Sequence, residues 1–191
     1  MFLPTIISEN IISKDDCALI SNSLKDQTFN HIPQNYNLPE DPNEDAMRIR
    51  TLSIDAQFEQ HPLIVKLENS LVSFIEKFYG VKVLNVAGQC IVRYTKGQFI
   101  NLHKDWEPND AYVLEHNKSQ VHLSSVTYIN GDFSGGEIVL KEDYIMGDDL
   151  VTLKPTAGST VFFSGDKYHI TRPITSGVKY SYTNFYTLDI V

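Results

Sequence analysis

The sequence predicts a mainly β fold of sandwich or jelly-roll type, with helices covering one face. From residue 81 onward, short β-branched and aromatic runs alternate with turns marked by Gly and Pro. Before residue 81, apolar residues recur at helical spacing instead. A length of 191 residues suits one domain over 1–191, with 1–80 as helical support and loop and 81–191 as the β core.

Taken in order, Ser13 followed by Asp15, Asp16 and the apolar set Cys17, Ile20 and Leu24 predicts an N-capped amphipathic helix. Residues 31–46 are polar, punctuated by Pro and without periodicity, so they read as a loop, either a surface excursion or a lid. Arg48 and Arg50 alternate as on a strand and would share one face, which fits substrate binding and also a solvated edge. Pro62 opens a second helix whose apolar positions are Leu63, Ile64, Leu67, Leu71, Phe74, Ile75 and Phe78, with Gly80 as its stop. Strands are then expected at 81–94, 99–105, 121–129, 137–140, 150–153, 160–163 and 179–188. The connections 106–120 and 141–149 are long for such a fold; they suit substrate-contacting loops at a barrel mouth or tolerated insertions.

Composition narrows the function. A net charge of −8 argues against a nucleic-acid partner, because neutralising phosphates needs an excess of Lys and Arg. The two cysteines, Cys17 and Cys90, read as buried free thiols. The opening residues lack a basic region and a sustained apolar run, and no segment approaches membrane-spanning length. A cytoplasmic protein without a membrane partner is therefore expected.

The chemistry centres on His103 and Asp105. On an extended segment, residues i and i+2 project to one face, so a single strand can offer both side chains to one metal. With His169 from a second strand, placed just after the apolar run 160–163, they can form a two-histidine, one-carboxylate triad that leaves positions open on non-haem Fe(II). Taken singly, His103 and Asp105 also suit a surface pair, and His169 a satisfied core histidine.

Three stretches together carry a resemblance: RYTKGQFINLHKD, VTYINGDFSGGEIVL and LKPTAGSTVFFSGDKYHITRPITSGVKYSYTNFY. They resemble the double-stranded β-helix, a cupin-like jelly roll, of Fe(II)/2-oxoglutarate dioxygenases, in particular the prolyl 4-hydroxylase-like group. The similarity covers about the last hundred residues, and ENIISKDDCALI is similar to the helix that opens such chains.

The resemblance implies that His103, Asp105 and His169 bind Fe(II), and that Lys179, ten residues after His169, pairs with the distal carboxylate of 2-oxoglutarate. A buried carboxylate does need a fixed cation. Tyr94, Tyr128 and Thr183 match positions that can donate hydroxyls to the same group or pack the core. SGGE, at 134–137, matches a structural turn. Trp106, Arg48, Arg50 and Arg172 are the substrate-side candidates. An acidic residue at 105 argues against the halogenases of this group, in which a small residue stands there.

The implied reaction consumes 2-oxoglutarate and O2, releases succinate and CO2, and hydroxylates a C–H bond, with ascorbate as an accessory candidate. The implied substrate is a prolyl residue in a peptide or protein, with a free amino acid or other small metabolite as the alternative. A non-catalytic jelly-roll binding module is the rival of a different class; the full ligand set and Lys179 count against it.

Overall fold

A computed structural model describes residues 4–8, 11–27, 29–32, 50–53, 61–105, 121–141 and 149–189. The first helix, α1 (Lys14–Leu24), is capped by Ser13, whose Oγ accepts the Asp16 N–H at 3.1 Å. It buries Cys17, Ile20 and Leu24, as its spacing dictates. The second, α2 (Pro62–Tyr79), buries Ile64, Leu67, Leu71 and Ile75 and ends at Gly80, whose φ of 66° is the left-handed conformation that favours glycine. Its cap is His61, whose Nδ1 accepts the Leu63 N–H. Phe78 departs from the expected apolar face and is 51% exposed, with its ring stacked on Phe74.

Three short strands accompany the helices: β1 (Ile6–Ser8), β2 (Asn30–Ile32) and β3 (Arg50–Ser53). The remainder comprises β4 (Lys82–Tyr94), β5 (Ile100–His103), β6 (Val121–Tyr128), β7 (Ser134–Gly135), β8 (Ile138–Lys141) and β9 (Asp149–Leu153). It closes with β10 (Thr160–Ser164), β11 (Tyr168–Thr171), β12 (Ile174–Ser176) and β13 (Lys179–Asp189). A seven-stranded sheet runs β1-β10-β6-β13-β4-β3-β2, and a four-stranded sheet runs β5-β11-β8-β9. All their pairings are antiparallel.

Alternation along the strands gives the larger sheet two different faces. On one, Leu123, Phe162, Tyr180, Tyr182, Tyr186 and Leu188 pack with Ile20, Leu24, Leu67 and Leu71 of the helices. On the other, Tyr128, Val161 and Phe163 meet Ile138, Leu140 and Leu153 of the smaller sheet, and Val92 and Tyr94 meet Ile174. The jelly-roll expectation holds, with the two described helices packed on one face.

Three local expectations change. Residues 31 and 32 pair as β2 with β3 instead of starting a loop, since an adjacent edge accepts their backbone groups. His169 comes from its own strand, β11, not from the end of the 160–163 run, because Gly165 and Asp166 turn the chain first. Neither cysteine is in a disulfide; Cys17 is buried as expected, whereas Cys90 is only half-buried. Most of the expected 31–46 loop (33–46), the 106–120 connection, residues 142–148, Arg48 and Trp106 lie outside the described residues. Among the described residues, no helix is long and apolar enough to cross a membrane.

Candidate metal and co-substrate site

His103 closes β5, His169 lies in β11, and the two are direct antiparallel partners. Directly opposed residues share one face at short range, and the two rings stand 4.1 Å apart between centroids. Asp105 follows on the same side, its N–H bonded to the Gly165 carbonyl at 3.1 Å in the turn that leads into β11. One backbone bond thus couples the carboxylate to the strand carrying the distant histidine. Asp105 Oδ1 lies 3.5 Å from Nε2 of each ring, and the three ligand atoms fall within 4.8 Å of one another.

The ring orientations are fixed from behind. His103 Nδ1 stands 2.8 Å from the Asn101 carbonyl, and His169 Nδ1 stands 3.0 Å from the Lys167 carbonyl. A carbonyl only accepts, so each Nδ1 carries the proton and each Nε2 presents its lone pair to the shared centre. Such outer partners are what orient a metal-binding imidazole. Burial, followed by the neighbouring His169, pushes His103 below its ordinary value and favours the neutral ring. Burial alone would raise the Asp105 carboxyl, but positive charge on the two imidazoles, where they are protonated, outweighs it and holds Asp105 well below the usual carboxylate range, so Asp105 is already a carboxylate when the rings become neutral.

This donor set fits a first-row divalent ion with nitrogen and carboxylate preference, Fe(II) among them. With Asp105 3.5 Å from each imidazole nitrogen and all three ligand atoms within 4.8 Å of one another, the three side chains could hold a single ion. Phe163 backs His169 at 4.7 Å between ring centroids, and Lys104 lies over the Tyr168 ring at 4.4 Å.

A second unusual group is buried beside Tyr94 and Tyr128. Lys179 opens β13, opposite Tyr94 of β4, and is 1% exposed. Its Nζ lies 4.6 Å from the Tyr94 ring centre and 4.9 Å from that of Tyr128, and it donates to the Gly136 carbonyl at 3.1 Å. Among the described residues, no carboxylate pairs with it. Burial therefore pushes the ammonium down to about 7, with Glu137 pulling the other way. Burying a cation with one neutral acceptor is costly. An organic carboxylate is the group that would complete it.

Of the other sequence-predicted residues, Tyr94 and Tyr128 flank this ammonium. The Tyr128 hydroxyl donates to the Gly136 carbonyl at 3.3 Å and accepts the Ile138 N–H at 3.1 Å. Thr183 is half-buried further along β13, opposite Cys90 and Val126. Arg172 is exposed, and its backbone N–H donates to the Glu137 carbonyl. Arg50 begins β3, which belongs to the seven-stranded sheet and not to the sheet of β5 and β11. The residues that sequence reasoning missed act through their backbones: the carbonyls of Asn101, Lys167 and Gly136. Only the glycine pair of SGGE gave any signal of the last.

Residues 90–187 match the sequence model of the 2OG-Fe(II) oxygenase superfamily. The chain belongs to that superfamily and is a 2-oxoglutarate-dependent dioxygenase; the superfamily uses Fe(II), 2-oxoglutarate and O2. Its fold is the double-stranded β-helix of solved relatives. One is a viral collagen prolyl hydroxylase from Paramecium bursaria Chlorella virus-1 in complex with 2-oxoglutarate, 18% identical with a TM-score of 0.62, covering 98% of this chain and 96% of that one. A second is a Trichoplax adhaerens prolyl hydroxylase bound to a peptide fragment of the hypoxia inducible factor oxygen degradation domain, 13% identical with a TM-score of 0.66, covering 95% and 82%. A third is a Pseudomonas putida prolyl-4-hydroxylase, 16% identical with a TM-score of 0.60, covering 95% and 91%. No curated protein sequence matches the chain.

Proposed function

We propose that this chain hydroxylates a prolyl residue in a peptide or protein, with His103, Asp105 and His169 holding Fe(II) and Lys179 holding the distal carboxylate of 2-oxoglutarate. The observation that carries the reading is the pairing of two incomplete sites: three ligand atoms within 4.8 Å, and a buried ammonium with one neutral acceptor. Bound there, iron would supply the O2 activation that couples decarboxylation of 2-oxoglutarate to hydroxylation of a C–H bond.

The chain's own residues do the rest. Asp105 contributes the negative charge and the two neutral imidazoles the remaining protein ligands, each held by its carbonyl. Lys179 binds one end of the co-substrate and so orients the other, while the faces of Tyr94 and Tyr128 wall the ammonium. Thr183 lies on the inward side of the same strand as a further donor. The apolar lining of Val92, Ile174 and Phe133 keeps bulk water from this end. Trp106, Arg48, Arg50 and Arg172 remain the substrate-side candidates. The peptide-bound Trichoplax relative supports a peptide in preference to a free amino acid.

The test is a panel of proline-containing peptides and free amino acids incubated with Fe(II) protein, 2-oxoglutarate and O2. The expected result is the gain of one oxygen atom on a peptide proline, with matching succinate. Oxygen gain on free amino acids alone would overturn the prolyl-peptide assignment, and no substrate-stimulated succinate would overturn the hydroxylase reading.

A further inference from the structure

We propose that the backbone carbonyl of Gly136 is the positioning group that aims the Lys179 ammonium at the co-substrate, and that residue 136 must lack a side chain for this to work. The inference rests on the assignment of Lys179 as the 2-oxoglutarate anchor.

The two glycines of the turn have different reasons to be glycine. A Cβ on Gly135 would fall 2.1 Å from the Pro173 carbonyl oxygen, a backbone clash at the β7–β12 pairing. A Cβ on Gly136 would instead meet side chains: Ile174 Cδ1 at 2.5 Å, Lys179 Cδ at 3.1 Å and Phe133 Cε2 at 3.1 Å. The first glycine permits the turn. The second leaves room for the lysine stem.

Gly136 also holds φ at +71°, a conformation that L side chains rarely adopt. Its carbonyl accepts from two buried donors, Lys179 Nζ at 3.1 Å and the Tyr128 hydroxyl at 3.3 Å. A carbonyl oxygen has two lone pairs, so both can be satisfied together. Lysine is a compact charge on a flexible stem. The aromatic faces of Tyr94 and Tyr128 attract that charge without selecting the direction of any one N–H. The Gly136 carbonyl is then the directional contact on Nζ, and it takes one N–H and leaves the others for a carboxylate. Tyr128 is itself fixed by the Ile138 N–H at 3.1 Å, which ties the carbonyl to the start of β8.

A double-mutant cycle tests this in an Ile174→Val background, which deletes the atom that an alanine Cβ would strike. Gly136→Ala is made with Lys179 present and with Lys179→Met, and 2-oxoglutarate binding to the anaerobic Fe(II) protein is titrated, with Fe(II) affinity as a control. The expected result is a Kd for 2-oxoglutarate raised about tenfold or more with Lys179 and less than about twofold with methionine, as coupled neighbours behave. Fe(II) affinity should stay within about twofold throughout. Tyr128→Phe, which adds no atom, is the second arm and should show the same pattern at about threefold. Equal losses in both backgrounds, or no loss in either, would overturn the proposal. Unchanged affinity in Lys179→Met alone would instead overturn the anchor assignment, and that arm is read before any change at Gly136.

Discussion

The two faces of the seven-stranded sheet bury side chains to opposite effect. Toward the helices, Tyr180, Tyr182, Tyr186 and Leu188 of β13 join an apolar layer with Leu67 and Leu71, and their burial stabilises the fold. Toward the smaller sheet, the same strand buries Lys179, whose charge costs stability until an anion joins it. One face is complete in the chain alone. The other leaves a buried ammonium with one neutral acceptor, which the proposed co-substrate would complete.

The largest way to break this contrast is at the proposed metal ligands. His103→Ala, Asp105→Ala and His169→Ala should each lower iron-dependent succinate formation by on the order of a hundredfold or more, with far-UV circular dichroism and metal content measured alongside. Near wild-type turnover in any one variant would remove that residue from the ligand set.

Next comes Lys179→Met, which should weaken 2-oxoglutarate binding by about a hundredfold, through loss of a charge-assisted bond worth roughly 2–5 kcal/mol. Anaerobic titration onto the Fe(II) protein measures it. An unchanged Kd would move the anchor elsewhere.

A smaller effect follows from pH. The folded lysine sits near about 7 against an ordinary value of 10.5, so between those values the ligand-free fold binds fewer protons than the unfolded chain. Its stability therefore rises with pH across that window, while below about 7 the full cost of the buried ammonium remains. Binding a carboxylate restores the charge, so 2-oxoglutarate affinity should be level below pH 7 and weaken by up to about tenfold per pH unit above it. Glu137 is the acidic group acting on this lysine, and Tyr94 and Tyr128 the rings that face it. Lys179→Arg should flatten the profile. A profile as steep in that variant would assign the titration to another group.

The smallest effect on the site should come from the opposite face. Leu67→Ala should destabilise the fold by about 2–5 kcal/mol yet leave 2-oxoglutarate affinity within about twofold, since distant sites behave independently. Urea unfolding and the same titration check both halves.

What could be read from sequence follows the same division. The helix-facing layer declared itself through periodicity: Cys17, Ile20 and Leu24, then Ile64, Leu67, Leu71 and Ile75, are the buried positions of the two helices. The long strands β4 and β13 were legible from their β-branched and aromatic runs. The four-residue strand β11 was not, because the turn at Gly165 and Asp166 and then Pro173 leave too short a run for alternation to show. The His103–His169 pairing spans 66 residues of sequence and is set by sheet register, which no local pattern encodes. The carbonyls that fix the two imidazoles belong to Asn101 and Lys167, whose side chains give no notice of it, and the one on Lys179 belongs to Gly136, marked only by the glycine pair of SGGE. Short polar loops and backbone acceptors are where sequence reasoning ends.

The contrast between the two faces is tested most directly by thermal unfolding of wild type and Lys179→Met below pH 7, each without ligand and with Fe(II) plus saturating 2-oxoglutarate under nitrogen. Without ligand, the methionine variant should have the higher Tm, since replacing a buried charge by an apolar side chain of similar volume is commonly stabilising by about 1–4 kcal/mol. With ligand the order should invert, because only the wild type gains the paired carboxylate. The same order in both conditions would contradict the account.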